Sequence, residues 1–577
     1  MKREKMIKRV LITLILLFSI LPCVLGQAIP FEREVTLYNP YRPSLNVATK
    51  RSFLPELNDP IQARPQFEYN VNAQPLMPEY TISPIRAAEL LPEPLPKLYK
   101  SYINAGLGTQ WSGLLGLGEI SIASERAQKG AIGFYGRHFS STGKIKLDNN
   151  EKVNAGYMDN EALLFGKKLF SRSVLEGSAF FTQNIRHAYG YDTDIIGYIP
   201  EKDDIKIKYN DVGAKLAFYS TNLDSTRLNY NFNLSYDYFF YKENISRHRV
   251  LADGLMAKSI KTLYAGVGIN YELYMPSDPI FPIYDNEFIF AISPFLKKST
   301  SKYNFKLGLE LLRNRAGELR VYPNLNLGFT IVPSYINFFT SLDGYLERND
   351  PTKILDINPF LLPDAYFFHG RPDTDHEIVA TAGLKGSNGI GGRYLISASY
   401  SIIDDMLFYS NLISYSNLVS PNGITPSMGN YFIPIVGGGN ILNIHGEITG
   451  KITDKLSFSG SGNIYDYNFE RKPWNKPAWD AKFGLDYNLK NKILAGAELT
   501  AIGKRTNVIS QSFRMPLQHE IEMPVHYNLN LKAEYRYSKT LSFWLKLNNI
   551  ALKDYYEWAF YPSHRFMFMA GVSCSLW

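Results

Sequence analysis

Five side chains at the end of one long loop could together hold a divalent cation. His369, Asp373, Asp375, His376 and Glu377 fall within nine residues and mix imidazole with carboxylate. A solvated polar loop feeding a strand explains them as well and is the preferred reading, so no metal is assigned. His369, Asp373 and Asp375 stay as candidate loop contacts. Trp474 and Trp479, beside Arg471, Lys472 and Lys476, are candidates too, as are Tyr189 and Tyr191. Such rings could stack a sugar or anchor a partner, although rings of this type also gather at a membrane interface. The remaining chemistry is sparse. The nine histidines are scattered, with no HExxH, no CxxC and no nucleophile elbow. Gly437-Gly438-Gly439 precedes no helix that could cap an anion and is read as a strand kink. No catalytic residue and no cofactor is assigned, and an enzyme is not expected.

The elements that must position these residues are strands. In Tyr527 to Tyr537 the odd positions are Tyr, Leu, Leu, Ala, Tyr and Tyr, while the even ones are Asn, Asn, Lys, Glu and Arg. The pattern returns as Leu541, Phe543, Leu545, Leu547 and again as Phe566, Phe568, Ala570, Val572, Cys574, Leu576. Equally regular runs start at Leu228, Leu263, Tyr303 and Trp479. Each is about ten residues or longer, the length a tilted strand needs to cross a bilayer.

The first 26 residues read as a secretory signal. Lys2, Arg3, Lys5, Lys8 and Arg9 precede the apolar run Val10 to Leu21, and Val24-Leu25-Gly26 offers a cleavage site before Gln27. This segment carries half of the formal charge of +8. No basic run with interleaved aromatics stands elsewhere, so no nucleic-acid partner is expected. After cleavage only Cys574 remains, which rules out an intrachain disulfide. Residues 27 to 97 hold 12 of the 32 prolines and no glycine. They predict an extended, semi-rigid arm, whose Phe31, Phe53, Leu54, Phe67, Tyr69 and Tyr80 suit contact with a surface. Residues 98 to 577 form the strand region.

Composition misses the class: 45% hydrophobic residues resemble a soluble protein. The connections decide it. Ten short turns, among them Ser171 to Ser173, Pro333-Ser334 and Ser538 to Thr540, alternate with longer loops such as Ser140 to Met158, Arg348 to Asp375 and Gly503 to Pro524. Short turns at one end and long loops at the other mark a transmembrane barrel. Ten turns pair twenty strands, and the first and last strands complete the set. The expected fold is all-β: an antiparallel transmembrane β-barrel of about 22 strands, apolar outside and polar within, preceded by the proline-rich arm.

The closing residues resemble a known family. Leu547-Asn548-Asn549-Ile550, Lys553 to Trp558, Tyr561-Pro562, Arg565-Phe566-Met567 and Gly571-Val572-Ser573 resemble the last two strands of TonB-dependent receptors. The resemblance implies a barrel of 22 strands ending in an assembly signal, here Phe566, Phe568, Leu576 and Trp577, read by the barrel-insertion machinery. It also implies a globular plug of well over a hundred residues, which the arm is too short and too glycine-free to form. Glu32 to Leu37 reads as an exposed strand of mixed charge rather than a TonB box, so TonB engagement is not carried over.

The expected function is therefore transport: solute uptake or porin-like passage through the outer membrane of a Gram-negative bacterium, in contact with its lipids. A pore this wide needs an obstruction, and the arm or the loop Arg348 to Asp375 should supply it. The alternative is a scaffold barrel that moves no solute and docks periplasmic or surface-lipoprotein partners.

Overall fold

The structure is a computed structural model. It describes residues 100–576 except 111–112, 125–129, 148, 192–200, 222–226, 242–244, 278–285, 362–372, 388–390, 413–430, 511–518 and 553–554. The chain divides into two compact units, Met1–Pro92 and Glu93–Trp577. Every described residue belongs to the second. The arm and its six aromatic and aliphatic candidates, together with His369 and Trp577, lie outside the described residues.

The dominant sheet has 24 strands. Two of them, Arg505–Ser510 and His519–Met523, make a hairpin on one loop, and the strands on either side of that hairpin pair directly with each other. The other 22 close on themselves. The first, Ser101–Gln110, pairs antiparallel with Gly113–Ala123 on one side and with the last, Met567–Leu576, on the other. The closing register runs from Ser101 opposite Leu576 to Gln110 opposite Met567. Closure removes every free edge, as a barrel surrounded by lipid requires. No described helix is long and apolar enough to cross a membrane.

Alternation sorts the side chains as the sequence pattern predicts. On Asn229–Tyr241, Phe232, Leu234 and Tyr236 are exposed on the outer face. Asn233 on the inner face donates to Asp253 at 2.7 Å. In water this exposure would be a liability, but against lipid tails it is what anchors the wall. The inner face is laced by ladders such as Arg137 to Glu161 at 3.0 Å and Arg186 to Asp159 at 2.6 Å.

Antiparallel pairing of consecutive strands puts the strand ends that the ten short turns join at one end of the barrel. One tight turn is Lys490-Asn491, where both residues have positive φ (52° and 55°) and the Lys492 amide donates to Leu489 at 2.9 Å. That geometry matches the twist of a hairpin. At the opposite end, where longer loops were expected, two connections are short. Tyr241 and Ser246 are joined by a short link, and Arg313 and Leu319 by a tight turn with Gly317 at φ +86°.

Two strands stand out in length. Arg393–Leu412 has 20 residues and Tyr431–Lys451 has 21. Their register shifts between Ile403 and Met406, where Asp405 takes φ 53°. Gly437 to Gly439 lie directly opposite, so the glycine run admits a bulge in its neighbour. A Cβ on Gly438 would meet Asp404, and one on Gly439 would meet the backbone of Asn468 and Phe469. Beyond the bulge Leu407, Phe408 and Tyr409 are all buried, with Tyr431, Phe432 and Ile433 beside them. Consecutive buried residues mean that both faces of this ribbon are covered. The ribbon has left the wall and joined a separate core.

Candidate functional site

That core lies at the long-loop end. It is built from the hairpin around Ile145 and Val153, from Tyr189 and Ile205, from Phe239 and Ile245, from Ile354 and Phe360, from Phe432, and from Tyr561. These residues come from connections spread around the ring, so the loops meet across the barrel mouth and form a cap.

The loop after strand Ile336–Glu347 is the centre of the cap. Asp350-Pro351 starts a helix, Pro351–Ile357, with Asp350 as N-cap accepting from the Thr352 amide at 2.9 Å and proline in the first turn. Ile354 and Leu355 face the core. After the helix, the Phe360 carbonyl accepts the Phe432 amide at 2.9 Å. The Phe360 ring stacks on Tyr561 at 3.8 Å, and Tyr561 meets Tyr189 edge-on at 4.9 Å. The Tyr189 hydroxyl donates to the Pro562 carbonyl at 3.0 Å.

The helix start is fastened to the inner wall by charge. Asp350 accepts from Arg247, a residue only 1% exposed, which also donates to Asp237 at 2.5 Å. Arg249 bonds Asp237 at 2.9 Å and lies 3.4 Å from Asp350. On the flanks Arg348 reaches Glu272 at 2.9 Å, and Lys353 reaches Glu347 at 2.6 Å. A buried ion set of this kind is costly to desolvate and holds only while each member keeps its partner.

The cap contains a histidine held neutral. Burial pushes the His564 imidazole down to about 4 from its ordinary 6.5, against the opposing hydrogen bond to the Ala155 backbone. At neutral pH both folded and unfolded states are uncharged there. As pH falls below about 6.5 the unfolded chain takes a proton that the cap refuses until about pH 4. The contribution of His564 to cap stability is thus full above 6.5 and lost as pH drops toward 4. Protection factors of amides in the Tyr561 loop, each referred to the intrinsic exchange rate at its pH, should fall over that window, and His564→Asn should reduce that fall.

No family model and no curated protein matches this sequence. Solved structures do match its shape. A ferric enterobactin receptor from Pseudomonas aeruginosa, crystallised as a mutant with enterobactin, superimposes with a TM-score of 0.62 at 10% identity, covering 82% of this chain and 81% of that one. The ferric-catecholate import receptor Fiu from E. coli K12 gives 0.57 at 11% identity, covering 83% and 82%. The siderophore receptor PirA from Pseudomonas aeruginosa gives 0.57 at 11% identity, covering 83% and 80%. The chain has the fold of the TonB-dependent receptor barrels. Its 22-strand ring is the count that the closing hairpin implied.

In this barrel the sequence candidates separate. Asp373 accepts from Arg315 Nε at 3.0 Å and from the Asn349 amide at 2.9 Å. Asp375 accepts from the Tyr322 hydroxyl at 2.9 Å, and His376 turns to Glu347 at 2.9 Å. These groups pin the returning end of the cap loop to the wall. Among the described residues no three of His, Cys, Asp and Glu converge. Trp474 and Trp479 also part company. Trp474 is 4% exposed and packs with Phe408 and Val508 in the cap. Trp479 opens a strand on the outer face, opposite the exposed Ile464, where an interfacial ring belongs. Tyr189 is a core residue of the cap. Phe568 and Leu576 lie on the outer face of the closing strand. Sequence reading missed Asp350, Arg247 and Asp237. Its one available signal was Asp350-Pro351, a helix-start pair in a chain of strands.

Proposed function

We propose that the protein is an outer-membrane transport barrel whose solute path is closed at the long-loop end by its own cap. The observation that carries this reading is the loop 348–361, which leaves the wall, is fixed by Asp350 to Arg247, bonds Phe432 on the neighbouring ribbon, and stacks Phe360 on Tyr561 from the connection before the last strand. An obstruction that the family resemblance would assign to a globular plug is supplied here by a loop. Solved structures that share the fold bear the names of siderophore receptors and, in one case, of a copper transporter, which supports a transport role rather than an enzymatic one. Gram-negative outer membranes are where such barrels fold, with Phe566, Phe568, Leu576 and Trp577 as the assembly signal for the insertion machinery.

The proline-rich arm is proposed as a second obstruction, contributing Phe31, Phe53, Leu54, Phe67, Tyr69 and Tyr80. Planar-bilayer recordings of the mature chain and of a 28–90 deletion would separate the two devices. Low conductance in the full chain is the expected result. Equal conductance in the deletion would remove the arm from the account and leave the cap. A freely open full-length channel would sink the gating reading altogether.

A further inference from the structure

The rim of short turns carries charge of one sign. Seven of the ten turns with their flanking residues, 167–173, 258–262, 297–302, 385–393, 451–455, 490–492 and 536–540, together hold 16 lysines and arginines and one acid, Asp454. Among the described residues only one of those 16 is in an ion pair: Arg536, held by Glu534 at 2.9 Å. The long-loop end is the opposite case. There Arg186, Arg247, Arg315, Arg348 and Lys353 each hold a carboxylate. Like charges gathered on one rim repel each other, and a counter-charge from outside the chain relieves that repulsion.

Position decides what brings the counter-charge. Gly254 lies opposite the outward Phe232, so Lys258, four residues on, faces outward too. The same alternation turns out Lys168, opposite the exposed Leu175, and Lys298, opposite Phe305. These lysines are set among apolar side chains of the lipid face. Leu164 and Phe170 flank Lys168, Met256 and Ile260 flank Lys258, and Leu296 precedes Lys298, all of them exposed.

Two ammonium groups lie over rings of that face. Lys168 Nζ is 5.4 Å from the centre of Phe170, and Lys492 Nζ is 5.8 Å from that of Tyr535. Both rings are exposed. The stems therefore run along the apolar wall and carry the charge to its edge, which is how a lysine reaches the headgroup level from an acyl-chain surface. A soluble acidic protein or polymer would have to compete with lipid for cations seated in this way. Lipid phosphates already stand there.

We propose that the short-turn rim is a binding surface for anionic phospholipid, with the phosphodiester headgroups of the surrounding leaflet meeting Lys168, Lys258, Lys298 and Lys492. The proposal rests on the reading of the barrel as a membrane protein. It adds the headgroup charge, on which that reading is silent.

The test uses the full chain, folded in a zwitterionic detergent and immobilised. It is equilibrated with mixed micelles holding equal amounts of phosphatidylglycerol and phosphatidylethanolamine with the same acyl chains, and the retained lipid is extracted and counted. Enrichment of phosphatidylglycerol by about fivefold at low salt is expected, falling close to parity in roughly 0.5 M salt. Replacing Lys168, Lys258, Lys298 and Lys492 together by Gln should abolish the enrichment, and replacing the four by Arg should keep it. Replacing Lys146, Lys152, Lys202 and Lys206 by Gln removes the same charge from the long-loop end and should also keep it. Equal retention of the two lipids by a folded, unmodified barrel at low salt would overturn the proposal. So would equal loss in the two glutamine variants. Poly-glutamate is offered in parallel: binding of it that the rim variant abolishes, without phospholipid enrichment, would assign the rim to a soluble polyanion instead. Insertion into neutral phosphatidylcholine vesicles is scored separately. A barrel that inserts there and shows no enrichment sinks the headgroup proposal and leaves the membrane reading standing.

Discussion

Asp350→Ala should convert a quiet channel into a conducting one. The carboxylate does two jobs: it caps the helix Pro351–Ile357 and balances Arg247, which is 1% exposed. Removing one partner of a buried pair costs about 3–5 kcal/mol, because the remaining charge stays desolvated. Loss of an N-cap adds about 1 kcal/mol. Either is comparable to the free energy that holds a loop in place, so the cap should release while the wall, with its own ladder of backbone bonds, stays closed. Conductance should rise, and heat-modifiable migration should not change. Arg247→Met together with Asp350→Leu provides the opposing control. It removes both charges and leaves Asp237 to Arg249 at 2.9 Å, so it should behave much more like the unmodified chain. If Asp350→Ala conducts no better than the parent, the latch is not what closes the mouth.

The second large effect concerns the seam. Trp544 faces inward from Leu541–Asn548 and donates its indole N–H to Asn104 on the first strand at 2.6 Å. Its ring lies over Gly106 and Gly571, which pair with each other across the closing register. A Cβ on Gly106 would run into the indole and little else, its nearest backbone atom being Ala570 O at 3.3 Å. A Cβ on Gly571 would strike both the indole and the backbone carbonyl of Ala105. Both Gly106→Ala and Gly571→Ala should therefore impair closure, seen as loss of the folded band. Only the first should be rescued by Trp544→Leu, since shrinking the ring does nothing for a backbone collision. Equal rescue of both would contradict the packing described here.

Much of this fold could be read from the chain. Side-chain alternation has a period of two, a bilayer sets the strand length, and turn chemistry marks each reversal. Those are local quantities, and Leu541, Phe543, Leu545 and Leu547 announce a lipid face without knowledge of any distant residue. Counting the turns then gave the number of strands, because each turn joins two. The two short links at the loop end escaped notice only because polar residues there look alike whether four or fourteen are present.

The site was a different matter. Trp474 and Trp479 are five positions apart in similar sequence, yet one is sealed in the cap and the other looks onto lipid. Asp373 and Asp375 resemble metal ligands until Arg315 and Tyr322 take them. Arg247 and Asp350 are 103 residues apart, and nothing local to either names the other. A strand's orientation follows from its own pattern because lipid and water differ so sharply on its two faces. A loop meets no such contrast: whether it stands in solvent or folds inward depends on which partners the closed ring brings within reach. Only the closed ring brought those partners together.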